Sequence, residues 1–423
     1  MSKKCWVPYN EVNILVGQGT LNYCCKVSNE WMSLDHDISH GSEIVSNNKL
    51  TAFRQGLYIK GMPMACMACR VSELEGSLSW RQQEGIVPPQ FDNQTDLMSN
   101  SAYFNQINIY FDNHCDSACL YCNEDYSSKW EAEKIRNGET WLEDRSNTRK
   151  TNYQSRIQKI HEFLIKAGEE IPKKIPGQLL YEIGVNLTFL GGEPLLSPEL
   201  RDGKLETFID DFYTHAPKDY NVTVTIHTNA NSNKYVLDRF FQSIENLKNK
   251  YPRLNIKIVM SIESIGKALD YIRYGSTWHQ VEENVHRYMS NKSIFIVSFN
   301  PTFNILSLPN SPEYFKWLVG IKEQYNDREL FVSSNVVFSP MYLNPYNASE
   351  YFKPQVLESL EIIKNNKDKF ELGSYNNLVN RFEDLHKNMQ KRLLPEFVEM
   401  IEYVKKNRNM DIADYIPDWE KNV

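Results

Sequence analysis

The segment Asp112-Asn-His-Cys-Asp-Ser-Ala-Cys-Leu-Tyr-Cys122 is the most informative part of this chain of 423 residues. It spaces Cys115, Cys119 and Cys122 as Cys-x3-Cys-x2-Cys, and it follows the strand-like run Phe104-Asn-Gln-Ile-Asn-Ile-Tyr-Phe111. The three thiols are therefore expected on a loop that leaves the end of a strand. Three thiolates can hold three irons of a cubane cluster, and the open fourth iron can then bind a small molecule.

A zinc ion is the alternative occupant of this loop. A structural zinc ion needs a fourth ligand to complete its tetrahedron. His114 could supply it, but as the immediate neighbour of Cys115 it would chelate the ion in a small, strained ring. The spacing therefore favours an iron–sulfur cluster.

Composition restricts the class of protein. Hydrophobic residues make up 41% and charged residues 24%, which is ordinary for a globular protein. No run approaches the roughly 18 apolar residues that cross a bilayer, and the first residues lack the apolar centre of a secretion signal. We expect a cytoplasmic protein without a membrane partner, whose clustered cysteines bind metal. The net charge of −7 argues against nucleic acid as the main ligand.

The length predicts more than one domain. Residues 1–82 are rich in cysteine and show little helical periodicity, and the polar, proline-bearing stretch 83–102 reads as a linker. Residues 103–345 alternate β-branched or aromatic runs with amphipathic segments, which indicates parallel β-α units. Residues 346–423 form a helical C-terminal extension.

The β-α region predicts six strands, too few for a closed eightfold barrel, so an α/β fold with an open, partial (β/α)6 barrel is expected. The predicted strands are 104–111, 185–190, 221–227, 255–262, 294–301 and 331–338. The predicted helices are 152–167, 203–214, 233–249, 265–290 and 311–325, followed by 351–367 and 377–406 in the tail. Residues 126–150 read as an insertion of mixed charge.

A second motif follows one β-α unit later, where Leu187-Thr-Phe-Leu-Gly-Gly-Glu-Pro194 ends an apolar strand. Paired glycines let a ligand approach the backbone closely. Amides and carbonyls exposed there can bind an ammonium group, with Glu193 as its counter-charge. An ordinary strand-to-helix turn is the alternative.

The other five cysteines, Cys5, Cys24, Cys25, Cys66 and Cys69, lie in the first 82 residues. They include a Gly-x4-Cys turn ending at Cys24 and a Cys-x-x-Cys pair at Cys66 and Cys69. Asp35-His36-Asp37-x-x-His40 also carries metal-binding residue types, but a solvated loop is the better interpretation.

The cysteine triplet followed by Gly191-Gly-Glu-Pro194 resembles the radical S-adenosylmethionine (SAM) superfamily. The resemblance covers roughly residues 103–340. It implies that Cys115, Cys119 and Cys122 bind a [4Fe-4S] cluster that holds SAM.

The resemblance also implies the residues that contact SAM. Gly191, Gly192 and Glu193 would contact the methionine amino group, and Arg273, with its planar fork, the methionine carboxylate. The polar ends of later strands would supply further contacts. These are Asn229, Ser261 and Glu263, with Asn300 a weaker candidate.

The N-terminal cysteines resemble the SPASM/twitch domains that hold an auxiliary cluster in radical SAM maturases. Cys5, Cys24, Cys66 and Cys69 would be its four ligands, and Cys25 could replace Cys24. In the familiar maturases this domain follows the barrel, whereas here it precedes it. A zinc ion on the same four residues is the alternative.

By resemblance, one electron cleaves SAM, and the 5′-deoxyadenosyl radical takes a hydrogen atom from a substrate. A peptide or protein substrate is favoured, with a small molecule or nucleotide as the alternative, and an external donor such as a flavodoxin or ferredoxin would supply the electron. The rival hypothesis is a non-catalytic zinc or iron–sulfur module that serves in interaction or sensing.

Overall fold

The computed structural model describes residues 5, 7–24, 31–60, 66–74, 104–171, 184–390, 392 and 394–422. They divide into two compact units. The first unit comprises Met1–Asn113, Ile135–Thr225 and Arg239–Asn255, and the second comprises His114–Lys134, Ile226–Asp238 and Ile256–Val423. The predicted linker, 83–102, lies outside the described residues, and the predicted domain limits stay predictions.

The described strands, in chain order, are β1 (Glu11–Leu15), β2 (Thr20–Asn22), β3 (Met32–Ser33), β4 (Gln106–Tyr110), β5 (Ala118–Cys119), β6 (Val185–Leu190), β7 (Val222–Thr228), β8 (Leu254–Met260), β9 (Arg273–Tyr274), β10 (Ile296–Phe299), β11 (Thr302–Phe303), β12 (Phe331–Val332) and β13 (Asn335–Val336).

The described α-helices are α1 (Val7–Asn10), α2 (Asn48–Lys60), α3 (Met67–Leu74), α4 (Ser128–Arg136), α5 (Trp141–Thr151), α6 (Tyr153–Glu169), α7 (Pro198–Arg201), α8 (Leu205–Tyr213), α9 (Lys234–Lys250), α10 (Gly266–Ile272), α11 (Trp278–Ser290), α12 (Ser311–Gln324), α13 (Lys353–Asn365), α14 (Leu372–Asn388) and α15 (Pro395–Arg408). Across the described ranges, no helix is both long and apolar enough to cross a membrane.

In the first unit, strands lie side by side in the order β6-β4-β1-β2-β3. β4 pairs in parallel with both β1 and β6, so that Ile107 lies opposite Val12 and Leu187. These three side chains are completely buried, as expected for one face of a sheet on which every second residue packs into the core. Helices α6 and α8 pack against each other in the same unit.

In the second unit, the parallel strands follow the order β12-β10-β8. Ile296 lies opposite Lys257, and Ser298 lies opposite Phe331. A separate antiparallel pair joins β5 to β9, with Cys119 opposite Arg273. Helices α12, α13 and α14 pack in succession. β7 begins in the first unit and ends in the second.

The structure confirms a mixed α/β fold with mostly parallel strands, and a strand is present at each of the six predicted places. The predicted helix 265–290 is two helices, because β9 and Gly275, at φ +102°, interrupt it. The described part of residues 1–82 contains three helices, α1, α2 and α3, that its weak periodicity did not predict. The parallel pairing of β1 with β4 was not predicted either, because residues 1–82 had been assigned to a domain of their own.

Candidate functional site

The three cysteines of the segment 112–122 lie between β4 and α4, in the second unit. Cys119 belongs to β5 and is 8% exposed, whereas Cys115 and Cys122 are half-buried. The Cys122 backbone N–H donates to the Cys119 carbonyl at 2.9 Å and closes a tight turn. We call residues 114–122 the cysteine loop.

The first turn of α4 anchors this loop. The Ser128 hydroxyl oxygen accepts the Cys115 N–H at 3.1 Å, and the hydroxyl donates to the Cys115 carbonyl at 3.3 Å. The Trp130 indole donates to the Cys119 carbonyl at 2.8 Å. These bonds engage backbone groups, so they fix the loop without using the sulfur atoms.

The C-terminal helix α15 reaches the same loop through its last residue, Arg408. Its guanidinium donates to the Ala118 carbonyl at 3.0 Å and to both carboxylate oxygens of Glu133 at 3.1 Å. It also lies over the rings of Trp130 and Tyr274, 4.3 and 4.6 Å from their centroids. The Arg408 side chain is fully buried. Arg408 was not predicted as a site residue, since nothing in the sequence of the C-terminal extension connects it to residues near 118.

Asp116 of the cysteine loop is the centre of a cluster of polar side chains. Its two carboxylate oxygens accept from the side-chain amides of Asn229 and Asn231, each at 2.7 Å. Lys129 donates to the Asp116 carbonyl at 3.1 Å, and the Asn229 amide also reaches the Ser117 hydroxyl at 3.1 Å. The structure thus joins Asn229, a predicted SAM contact, to the cysteine loop.

Arg273 and Glu263, two further predicted SAM contacts, form a buried ion pair. The Arg273 Nε lies 3.0 Å from each Glu263 oxygen, and a terminal nitrogen lies 2.7 Å from one of them. Their side chains are 5% and 0% exposed. Arg273 also donates to the Tyr121 hydroxyl, and its other terminal nitrogen lies 3.7 Å from the Cys119 sulfur. Contact of this pair with SAM stays a prediction.

The remaining predicted contacts of this unit lie just beyond strand ends. Ser261, half-buried, follows β8 and donates its backbone N–H to the Thr228 carbonyl at 2.8 Å. Asn300 follows β10, and its side-chain amide oxygen Oδ1 accepts from the side chains of Ser333 and Asn335 at 2.5 and 2.7 Å.

Burial favours the protonated form of the Cys119 and Cys122 thiols. It raises the pKa of Cys119, although the Arg273 charge opposes this shift. Burial, together with the neighbouring Cys119, raises the pKa of Cys122 to about 12. Since a thiolate is the species that binds metal, a metal ion or cluster would have to displace both protons.

The Gly-Gly-Glu-Pro turn lies in the first unit. The Gly192 N–H donates to the Asp112 carbonyl at 2.9 Å. Gly191 has φ +131°, and a Cβ atom there would lie 2.6 Å from the same carbonyl, so only glycine fits. The Glu193 carboxylate is buried and accepts the Leu195 N–H at 3.3 Å, capping the 3₁₀ turn Pro194–Leu196.

One sheet face of the first unit carries a continuous chain of side-chain hydrogen bonds, here named the amide ladder. Its members, in bonding order, are Asn22, Asn13, Asn108, Gln106, Asn186 and Thr225. The sequence shows part of it as alternating polar and apolar residues in Gln106-Ile-Asn-Ile-Tyr110, a pattern that predicted a strand but not this network.

The direction of the ladder is fixed at one end. The Asn13 side-chain amide donates to a Glu11 carboxylate oxygen at 2.7 Å and to the Asn22 side-chain oxygen Oδ1 at 3.1 Å. Asn108 therefore donates to Asn13 at 2.8 Å, and Gln106 donates to Asn108 at 2.6 Å. An ionised carboxylate can only accept hydrogen bonds. Glu11 therefore orients the Asn13 NH2 group, and each following amide must orient its own NH2 group in the same direction along the ladder.

Three of the four predicted auxiliary-cluster ligands lie in one group. Cys5 and Cys66 pack, partly buried, against Val7 and Cys24. Cys69, on α3, is buried. Cys25 lies outside the described residues. The seven described cysteines form no disulfide.

Two acidic side chains of the loop 35–40 have structural partners, and its interpretation as a solvated loop stays a prediction. The Asp35 carboxylate pairs with Arg156 at 2.6 Å, and these bonds lower the pKa of Asp35. Asp37 pairs with Lys49 at 2.7 Å.

Within the described part of the chain, no three His, Cys, Asp or Glu side chains are grouped as around one metal ion. The donor set of the cysteine loop nevertheless matches the chemistry of an iron–sulfur cluster. It offers three soft thiol ligands on nine residues, with a guanidinium donor beside one of them.

Comparisons with known proteins gave one structural resemblance. No family model and no curated protein matches the chain. A solved structure of a histidine-tagged protein, described as "anSMEcpe with bound AdoMet", aligns with a TM-score of 0.35 and 15% identity. The alignment covers 70% of this chain and 65% of that one, so the chain spans less than two thirds of that protein's length.

Proposed function

We propose that this chain is a radical SAM enzyme whose cluster is held by Cys115, Cys119 and Cys122. The observation that carries the proposal is the cysteine loop itself. Its backbone is fixed by hydrogen bonds, it carries three thiols within nine residues, and a buried guanidinium donates to the sulfur of Cys119. When bound, a [4Fe-4S] cluster supplies an open iron for SAM and the electron that cleaves the sulfonium bond.

The chain's own residues bind and orient the reactants. In the proposal, Gly191, Gly192 and Glu193 contact the methionine amino group, and Arg273 contacts its carboxylate. A guanidinium has five N–H groups, and the bonds to Glu263, Tyr121 and Cys119 leave one for such a contact. Further proposed contacts of SAM are Asn229, Ser261, Glu263 and, more weakly, Asn300.

These residues would lie at the mouth of a partial (β/α)6 barrel, preceded by a cysteine-rich domain. In that domain Cys5, Cys24, Cys66 and Cys69 would hold an auxiliary [4Fe-4S] cluster. Cys5, Cys24 and Cys66 pack in one hydrophobic group, and zinc on the same four residues is the alternative.

A peptide or protein is the proposed substrate, and abstraction of a hydrogen atom is the proposed reaction. The resemblance supports this choice, because radical SAM maturases with an auxiliary cluster often modify peptides or proteins. A small molecule or nucleotide is the alternative. The proposed electron donor is a flavodoxin or ferredoxin, and the proposed compartment is the cytoplasm, where thiols stay reduced.

Anaerobic reconstitution with iron and sulfide tests the proposal. We expect a brown protein that forms 5′-deoxyadenosine from SAM once it is reduced, and a Cys115→Ala/Cys119→Ala/Cys122→Ala variant that forms none. The matched control, Cys66→Ala/Cys69→Ala, should keep the cluster of the cysteine loop and lose only the auxiliary iron. Protein that binds zinc alone at the cysteine loop, with no SAM cleavage, would establish the rival interaction module.

A further inference from the structure

The antiparallel pairing of β5 with β9 brings a positive charge to one cysteine of the loop. Cys119 and Arg273 are opposite residues of this pair, and the Arg273 guanidinium lies 3.7 Å from the Cys119 sulfur. Both residues are buried, at 8% and 4% exposure. Solvent therefore screens little of the interaction between this charge and the sulfur.

The guanidinium is held in place by its other partners. Glu263 accepts from Nε and from one terminal nitrogen, and the Tyr121 hydroxyl accepts from the same terminal nitrogen. The remaining terminal nitrogen thus points at the sulfur. The Arg273 guanidinium thus donates to the sulfur of Cys119, and the Glu263 carboxylate, bound to the other nitrogens of the guanidinium, partly neutralises its charge.

Reduction adds one negative charge to a cluster and its thiolate ligands. A hydrogen-bond donor and a positive charge at a ligand sulfur stabilise the reduced form, and hydrogen bonds to sulfur are among the factors that set cluster potentials. A carboxylate behind the donor weakens this effect. Arg273 and Glu263 therefore act on the same potential with opposite signs.

We propose that the Arg273–Glu263 pair sets the reduction potential of the cluster on the cysteine loop. Arg273 raises the potential, and Glu263 limits the rise. This inference rests on the proposed function, because it requires the cluster. It assigns the pair a role separate from contact with SAM and one that operates before SAM binds.

The test is a potentiometric titration of the reconstituted full-length protein without SAM, followed by electron paramagnetic resonance. Arg273→Gln should shift the midpoint potential to more negative values by at least about 59 mV. This shift corresponds to a tenfold change in the equilibrium constant of a one-electron reduction. Glu263→Gln should shift it to more positive values. Repeating the titration with Cys66→Ala/Cys69→Ala protein shows which signal belongs to the cysteine loop.

Arg381→Gln is the matched control. It removes the same charge from the same unit, but Arg381 donates to the Ser334 carbonyl and the Tyr346 hydroxyl. Its midpoint should equal that of the unaltered protein. If Glu263→Gln yields no folded protein, Arg273→Lys replaces it. Lysine keeps the charge, so its midpoint should lie nearer the unaltered value than that of Arg273→Gln.

Two results separate the inference from the proposed function. Midpoints of Arg273→Gln and Glu263→Gln that shift in the same direction, or that match Arg381→Gln, overturn the inference and leave the enzyme class intact. Unaltered protein that assembles no iron–sulfur cluster overturns both.

Discussion

The first unit contains a network of neutral side chains, whereas buried ion pairs lie beside the cysteine loop of the second unit. The amide ladder of the first unit joins uncharged side chains and includes a carboxylate only at one end. The second unit surrounds the cysteine loop with two buried ion pairs, Arg273–Glu263 and Arg408–Glu133. Replacing one side chain of a neutral network removes hydrogen bonds that each contribute modestly to stability. Removing one member of a buried ion pair leaves the other charge buried without a partner, which costs more. Single substitutions should therefore cost most near the cysteine loop.

The largest expected effect comes from Arg408→Met. Glu133 would remain buried without its partner, and we expect a loss of about 3–5 kcal/mol in the free energy of unfolding. Denaturant titration of the iron-free protein measures it. The double variant Arg408→Met/Glu133→Gln should recover much of the loss, because no buried charge then remains.

An exposed ion pair of the same unit is the control for that measurement. Lys316 and Glu358 lie 2.8 Å apart with side chains 54% and 50% exposed. Lys316→Gln should cost about 0–1 kcal/mol. Equal costs for Lys316→Gln and Arg408→Met would show that burial of charge does not distinguish the surroundings of the cysteine loop.

A pH effect of intermediate size is expected from His227 in the second unit. Burial, followed by the charge of Lys257, lowers the pKa of this half-buried imidazole to about 4. The unfolded side chain titrates near 6.5. Between these values only the unfolded chain binds the proton, so stability is complete above about pH 6.5 and falls as the pH drops towards 4. The loss is up to about 3 kcal/mol.

His227→Gln isolates this contribution, because glutamine does not titrate. The difference in unfolding free energy between the unaltered protein and His227→Gln should shrink or reverse in sign as the pH falls from 7 to 4. A difference that stays constant over this interval would mean that the folded protein accommodates the imidazolium.

Local patterns predicted much of the fold. The alternation in Gln106-Ile-Asn-Ile-Tyr110 and the apolar run Val185–Leu190 were sufficient to predict two strands, which pair in the structure. The cysteine triplet was predicted on the loop that leaves the first of them. Such patterns depend on residues close in sequence. The parallel pairing of β1 with β4 could not be predicted, because it joins residues about 95 positions apart and the sequence does not state strand register.

Site residues were predicted by type, but their partners were not. Glu263 and Arg273 were each proposed to face a ligand, and the structure pairs them with each other. Their pairing depends on the break at Gly275, where the expected single helix becomes β9 and two helices. Arg408 gave no signal at all, since its partner Glu133 lies 275 residues away.

The smallest expected effects test the direction of the amide ladder. Asn108→Asp keeps the acceptor used by Gln106, but its second oxygen faces the Asn13 side-chain oxygen instead of donating to it, so it should cost about 0.5–1.5 kcal/mol at this half-buried position. Asn13→Asp loses two donations and faces the Glu11 carboxylate, so it should cost more, about 1–3 kcal/mol. The unfolding free energies of the two variants measure the difference.

The double variant Glu11→Gln/Asn13→Asp decides whether Glu11 sets that direction. Glutamine can donate to the new aspartate, which restores one bond and removes the repulsion between two carboxylates. It should therefore be more stable than Asn13→Asp alone. If the double variant is no more stable than Asn13→Asp, Glu11 does not set the donor direction of the ladder. The polar network of the first unit then does not depend on one charged group, in contrast to the ion pairs of the second unit.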